Sequence, residues 1–411
     1  LGIQTKLKEE FSFIKGNFLV LVISWILIDF AGELPGTYFS LYVLALGGTE
    51  LAIGLIGFAS FIALASVQFP GGFLADKYGR RWLISTMTFG LALSFILYAI
   101  APTWHLILIG AIIHNLCLIY QPALLAMVAD SLPPERRGMG FSIINLIAAV
   151  STTPAPIVAG LLLVQYGLVP SMRINYFIVV ALYLTAAVLR LKLKETIKDP
   201  KKISRKELLS SYPQAIRESA AVWKVVPKAM LFLFLANLIG TFSGAMITPY
   251  VVVYAVHVLH VGEFEWSVVM TFLFVVMIVS ALPCGKLIDK VGRKKPLLFG
   301  YLLLIPSIWL VIYGDLFKLF LALPFLGLSQ ILMMSSISSL QADLVPQEQR
   351  GKVIGFTNFI NYLVMASGQL TGGFLYKNFS PQVPFLSAFF LVIPEFLMVL
   401  ILVHEPKKRE A

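Results

Sequence analysis

Asp29 and Glu33 stand four residues apart inside an otherwise apolar stretch, with Trp25 four residues before and Thr37 four after. In a helix this spacing sets all four on one face. An ionised, unpaired carboxylate in hydrocarbon costs at least about a few kcal/mol, so such groups face a wet cavity, find a partner, or take up a proton. His114 is the expected partner. Counted back from Asp130 at 1.5 Å per residue it stands roughly 24 Å from that helix end, and Glu33 counted forward from Asn17 reaches about the same height. Asp29, Glu33 and His114 are the expected proton-coupling residues, provided the two helices that carry them face one cavity. Static hydrogen-bonded packing and a cationic-substrate or metal site are the competing readings. No dedicated ligand spacing accompanies the three, so neither a metal nor a cofactor is expected.

The elements that position these groups must be membrane helices. Of 411 residues 58% are hydrophobic and 13% charged, against about 25% charged in an ordinary soluble domain. The apolar residues fall in blocks long enough to cross hydrocarbon as helices. Twelve spans are expected: 17–46, 51–75, 82–101, 104–130, 139–166, 172–193, then 229–258, 266–288, 296–314, 317–343, 352–377 and 383–404. The first is too long for a signal-peptide core and lacks a small-residue cleavage site, and is expected to be retained. A net charge of +11 could point to nucleic acid, yet with both termini cytoplasmic only Arg173, Lys318 and Lys377 of the 32 Lys and Arg fall on the exterior. That asymmetry fits membrane orientation, not a nucleic-acid partner. Cys117 and Cys284 lie in different spans and are read as small packing residues.

The chain also repeats itself. Asp76, Gly79 and Arg80 recur 213 residues later as Asp289, Gly292 and Arg293, and Asp130, Pro133, Arg137 and Gly138 as Asp343, Pro346, Arg350 and Gly351. The same offset joins Pro70 to Pro283, Gly72 to Gly285, Asn145 to Asn358 and Gly160 to Gly373. Two six-helix halves follow, 1–193 and 229–411, with a binding site near the midplane between them. The basic segment 194–228 joins them. Ser204 and Glu207 fit a capping box there, Pro213 opens a second short helix with Ile216, Ala220 and Trp223 on one side, and its charge answers anionic lipid.

The loop Gly72-Phe-Leu-Ala-Asp76-Lys-Tyr-Gly79-Arg80-Arg81 and its copy Gly285-Lys-Leu-Ile-Asp289-Lys-Val-Gly292-Arg293-Lys294 resemble the two signature loops of the major facilitator superfamily. The resemblance covers nearly the whole chain. It implies an all-α integral membrane fold of twelve helices with alternating access. It also implies a cytoplasmic gate in which Gly72, Asp76, Gly79, Arg80 and Asp130, with Asp289, Arg293 and Asp343 as a second copy, tie the halves together in the outward-open state. Helices one and four would both line the cavity. Ala155-Pro156-Ile-Val-Ala159-Gly160 is similar to the antiporter core of the superfamily, with alanine for both early glycines, and Ile109–Asn115 of helix four has no arginine.

Further polar residues fall on inner faces: Asn115 and Gln121 in helix four, Asn145 in five, Asn237 and Thr241 in seven, Gln330 in ten, Asn358 and Asn361 in eleven. With Trp25 they are the expected substrate-binding residues, among Phe, Tyr and Met side chains suited to amphipathic solutes; interhelical hydrogen bonding is the alternative for each. The spans offer acids but no central Lys or Arg, which disfavours a substrate of fixed negative charge. Glu395 is expected to be peripheral. The expectation is thus a monomeric plasma-membrane transporter of small molecules, most like the proton-driven drug exporters. An uptake symporter or facilitator for a small metabolite, and a non-transporting receptor or scaffold, are the rivals. No enzyme motif or nucleotide-binding glycine loop is present.

Overall fold

Backbone amides inside hydrocarbon have no water to bond, so apolar blocks of this length satisfy themselves as helices. The computed structural model describes residues 11, 13–133, 136–197, 213, 217, 220–224 and 226–405, apart from the side chains of residues 69, 73, 76–78, 224 and 347. Ser204, Glu207 and Ile216 of the expected linker helices lie outside the described residues, and no strand occurs within them.

The first long helices are α1 (Gly16–Gly36), α2 (Glu50–Tyr78), α3 (Arg80–Ala99), α4 (Trp104–Asp130), α5 (Arg137–Tyr166) and α6 (Leu168–Arg190). They are followed by α7 (Lys228–His257), α8 (Glu263–Val291), α9 (Lys294–Ile312), α10 (Leu316–Leu344), α11 (Arg350–Asn378) and α12 (Val383–Leu402). Among the described residues, 11 are long and apolar enough to cross a membrane. The exception is α11. Its 29 residues reach about 43 Å as a helix, but Asn358, Asn361 and Gln369 dilute its hydropathy.

Local chemistry sets the breaks. Thr49 opens α2 by accepting from the Ala52 N–H, and Asp315 opens α10 by accepting from the Lys318 N–H at 2.9 Å. The span expected as 17–46 divides after Gly36 and resumes as a short helix, Phe39–Ala45. α5 is interrupted at Thr153–Pro154, where proline supplies no N–H. Gly79 and Gly292 turn the chain into α3 and α9 at φ 89° and 99°, a backbone region that favours glycine.

The packing repeats with a shift of six helices. α1 packs on α6 and α5, α6 on α3, and α4 on α2 and α3; likewise α7 packs on α12 and α11, α12 on α9, and α10 on α8 and α9. The two sets meet through α2 against α11 and α5 against α8. Glycines allow the close approach. A Cβ on Gly54 would lie 2.7 Å from the Gln369 carbonyl oxygen, and one on Gly373 2.6 Å from that of Glu50. A Cβ on Gly160 would lie 2.8 Å from the Ser267 Cβ. Tyr38 donates to the Glu263 carbonyl at 2.8 Å and Ser40 to that of Pro249 at 2.5 Å. All these contacts lie at one end of the bundle, opposite the charged turns at Gly79–Arg80 and Gly292–Arg293. That end is closed.

Candidate functional site

Between the two sets lies a cavity of about 1330 Å³. With the far end closed, its walls descend to Ser338 and Gln341, beside Asp343 at the basic end, and Met334 on that wall is 71% exposed. The cavity therefore opens toward the basic turns. Six of the expected substrate-binding residues line it: Asn115, Asn237, Thr241, Gln330, Asn358 and Asn361. Asn237 bridges α7 to α11 by donating to Asn361 Oδ1 at 3.4 Å, and Asn115 donates to Ala111 of its own helix. Most of the remaining wall is apolar, including Phe61, Met270, Phe274 and Met333. Three expected contacts stand elsewhere. Trp25 packs against the apolar core, Gln121 resumes α4 after a 3₁₀ turn, and Asn145 is exposed on α5.

The acidic face of α1 is divided. Glu33 and His114 line the cavity from α1 and α4, whereas Asp29 is not among the lining residues and lies within electrostatic reach of Arg190. The His114 ring packs 4.8 Å from that of Phe95, and its Nδ1 is enclosed with no hydrogen-bond partner. Among the described residues no group of three or more His, Cys, Asp or Glu is placed to hold a metal.

Arg190 corrects the expectation that the spans hold no central cation. It is fully buried, 0% exposed. Its Nε donates to Ser24 Oγ at 3.0 Å, and its Nη1 to Thr88 Oγ1 at 2.8 Å and to the Tyr120 hydroxyl at 3.2 Å. The guanidinium also sits 5.5 Å from the Tyr120 ring centroid, within cation–π range. Although its Cα ends α6, the long side chain reaches inward among α1, α3 and α4 and ties them together. Helix four has no arginine of its own, and α6 supplies one beside it.

Glu395 is the second correction. Expected at the periphery, it is 1% exposed and lines the cavity, because α12 presents this face between α7 and α9. Its carboxylate stands beside Gly240 of α7, where a Cβ would come 2.8 Å from Oε2. The missing side chain at that position makes the room.

At the basic end, Arg80 pairs with Asp130, and Arg293 lies 3.6 Å from Asp289 and 3.2 Å from Asp343. The Arg293 Nε–Asp343 contact is an ion pair only, since that N–H makes no hydrogen bond. Each pair joins helices of the same set, as suits a structure open at this end. Asp76 carries a side chain outside the described part. Gly72 is only loosely opposed, with Pro122 Cβ at 3.9 Å from its virtual Cβ; the close approach to α4 falls at the adjacent Gly71, against the Ile119 carbonyl.

Two carboxylates at this end were missed in the sequence. Glu195, just past α6, accepts from the N–H groups of Arg80 and Arg81 at 3.2 and 3.0 Å. Glu405, past α12, accepts from those of Arg293, at 2.6 Å, and Lys294. Each places negative charge on the orphan amides that open a helix. The available signal was their equivalent position after the last helix of each set.

The Major Facilitator Superfamily profile matches residues 21–368 and, in a second match, 233–411. Multidrug resistance protein MdtG of Enterobacter lignolyticus is 26% identical over 392 residues, covering 91% of this chain and 89% of the relative. The MFS-type transporter MJ1560 of Methanocaldococcus jannaschii is 25% identical over 344 residues, covering 82% and 85%. Quinolone resistance protein NorA of Staphylococcus aureus is 30% identical over 180 residues, covering 43% and 46%. Among solved structures, the nucleoside transporter NupG superposes with a TM-score of 0.75 at 15% identity, covering 95% of this chain and 100% of that one. At that identity the likeness concerns fold alone.

Proposed function

Because this chain belongs to the major facilitator superfamily, a family of transporters, we propose that it exports hydrophobic or amphipathic compounds in exchange for protons. It is a multi-pass plasma-membrane protein. The cavity supports the finer reading: it is closed at one end, open at the other, largely apolar, and has Glu33 and His114 but no Lys or Arg among its described lining residues. The relatives named for multidrug and quinolone resistance favour export over uptake.

In this reading α11 is the twelfth span, because it packs among spanning helices and its polar residues face the cavity. Both termini and the basic turns are cytoplasmic. Residues 1–193 and 229–411 form two bodies that rock about α2–α11 and α5–α8, joined by 194–228, and the captured state is open inward. Substrate enters against the apolar wall while Glu33, assisted by His114, gives up its proton. After the halves rock and the outer contacts of Tyr38 and Ser40 separate, a proton from outside returns to Glu33 and substrate leaves. Asp29 is the static member of the pair, with Arg190 as its counter-charge. When the cytoplasmic side closes, Arg80, Arg293 and the neighbouring aspartates become the surface on which the halves meet.

The test is reconstitution in proteoliposomes containing a pH-sensitive dye, with an imposed proton gradient and panels of lipophilic cations, neutral drugs and small metabolites. Proton movement opposite to a compound, abolished in Glu33→Gln, is expected. Transport of a compound with no proton flux would replace this proposal with a facilitator.

A further inference from the structure

The two sets of helices give the cavity different chemistry. The first set supplies Glu33 and His114, whereas α7 and α11 of the second supply neutral carboxamides, Asn237, Asn358 and Asn361. Both of these helices start at the basic end. At 1.5 Å per residue, Asn237 stands roughly 14 Å along α7 from Lys228, and Asn358 and Asn361 roughly 12 and 17 Å along α11 from Arg350. The three share a level near the middle of a hydrocarbon core about 30 Å thick. Amides at that depth are costly unless something pairs with them.

The protein itself satisfies them poorly. Asn237 donates to Asn361 at 3.4 Å, longer than the usual range of about 2.7–3.2 Å for such a bond. Whichever of the two donates, one carbonyl oxygen and one NH2 group of the pair stay unpaired. Among the described residues the Asn358 side chain makes no hydrogen bond. The enclosed Thr357 Oγ1, on the same wall in a residue only 8% exposed, has no partner. Interhelical bonding accounts for the Asn237–Asn361 contact but not for Asn358 or Thr357.

A flat aromatic surface adjoins these amides. Phe61 of α2 lines the cavity with its ring 6.4 Å from that of Tyr362 and inclined by only 15°, and Tyr362 follows Asn361 in α11. A planar ring gains stacking energy there. Carboxamides are uncharged and offer N–H and C=O side by side, so the group that matches them is another amide, with its own N–H beside its own C=O.

We propose that α7 and α11 hold the uncharged N–H/C=O edge of a planar heteroaromatic lactam or imide, with Asn358 and Asn361 as the residues that select it. This names a substrate class within the proposed export function and rests on the cavity being the substrate site. Selection works by exclusion: a compound of the same shape without the N–H leaves a polar group of the wall covered and unpaired.

The probes are quinolin-2(1H)-one and its 1-methyl derivative, which keeps the ring and carbonyl but lacks the N–H, with tetraphenylphosphonium as a ligand that neither donates nor accepts. Binding to the full chain in nanodiscs is measured by equilibrium dialysis against empty nanodiscs, for wild type, Asn358→Leu and Asn361→Leu. Wild type is expected to prefer the parent lactam about tenfold, and each substitution to remove most of that preference. The methyl derivative and tetraphenylphosphonium are expected to bind all three proteins within about twofold of each other, which reports intact folding. Equal affinity of wild type for the two lactams, or equal loss of both in the variants, overturns the proposal. Binding of tetraphenylphosphonium alone also overturns it and leaves the transport reading intact. If wild type binds none of the three, the cavity is not the substrate site and the lactam subsite falls with that reading.

Discussion

Replacing Arg190 by Met removes a buried charge while keeping much of the side chain's bulk. Ser24 and Thr88 would keep the bonds their hydroxyls donate to Leu21 and Ile84, and lose only the bonds they accept. Tyr120 would lose its bond to the guanidinium, and Asp29 its counter-charge. Hydrogen bonds to charged groups contribute about 1.5–3 kcal/mol each, with less lost where a hydroxyl keeps another partner. The sum, allowing for non-additivity, is about 3–5 kcal/mol, the usual cost of breaking a buried charge arrangement. For a chain of this size that corresponds to roughly 3–6 °C in melting temperature. The assay is thermal unfolding in detergent of wild type, Arg190→Met, Asp29→Asn and the double variant. Because the loss of Asp29's charge makes the missing guanidinium less costly, the double variant should melt higher than the two single losses added together, by a coupling of about 1–3 kcal/mol. Arg190→Met melting within about 2 °C of wild type, or a cycle with no coupling, would refute the view that Arg190 ties α1, α3 and α4 together and balances Asp29.

Three other outcomes follow from single contacts. Glu195→Gln should cost about 1 kcal/mol or less, because the site is exposed, and the loss should shrink in high salt; denaturation at two ionic strengths reads this. Gly373→Ala places a carbon 2.6 Å from the Glu50 carbonyl, so α2 and α11 must part at the closed end, and labelling of a Ser40→Cys reporter from that side should rise several-fold. Tyr38→Phe removes one bond across the same end, 2.8 Å to Glu263. At about 1 kcal/mol it should shift the balance of states roughly fivefold toward outward opening, measured with the same reporter; unchanged labelling would contradict a latch at that position.

Much of the helical frame was legible because hydrocarbon thickness fixes the length of apolar blocks and the 213-residue offset fixes their pairing. α11 shows where composition alone falls short. It was expected from the repeat and from block length, yet its hydropathy is diluted because Asn358 and Asn361 face the cavity instead of lipid. Counting helical rise set Glu33 and His114 at one height, and both line the cavity. Counting could not tell that Asp29 lies within electrostatic reach of Arg190, since an arginine at the end of a span looks like an ordinary orienting charge until its side chain is seen to reach inward. A faint signal was present: at the 210-residue offset that aligns Glu195 with Glu405, Arg190 stands opposite Leu400 and Glu395 opposite Thr185. Charges without a counterpart in the repeat mark where the two halves differ in chemistry.

The central claim is that substrate and proton compete through Glu33. Its most direct measurement is proton release from purified, lightly buffered protein when tetraphenylphosphonium is added, followed with a soluble pH indicator. Wild type should release protons in step with ligand bound and Glu33→Gln should bind ligand with little or no release; equal release from both proteins would contradict the assignment of the proton to Glu33.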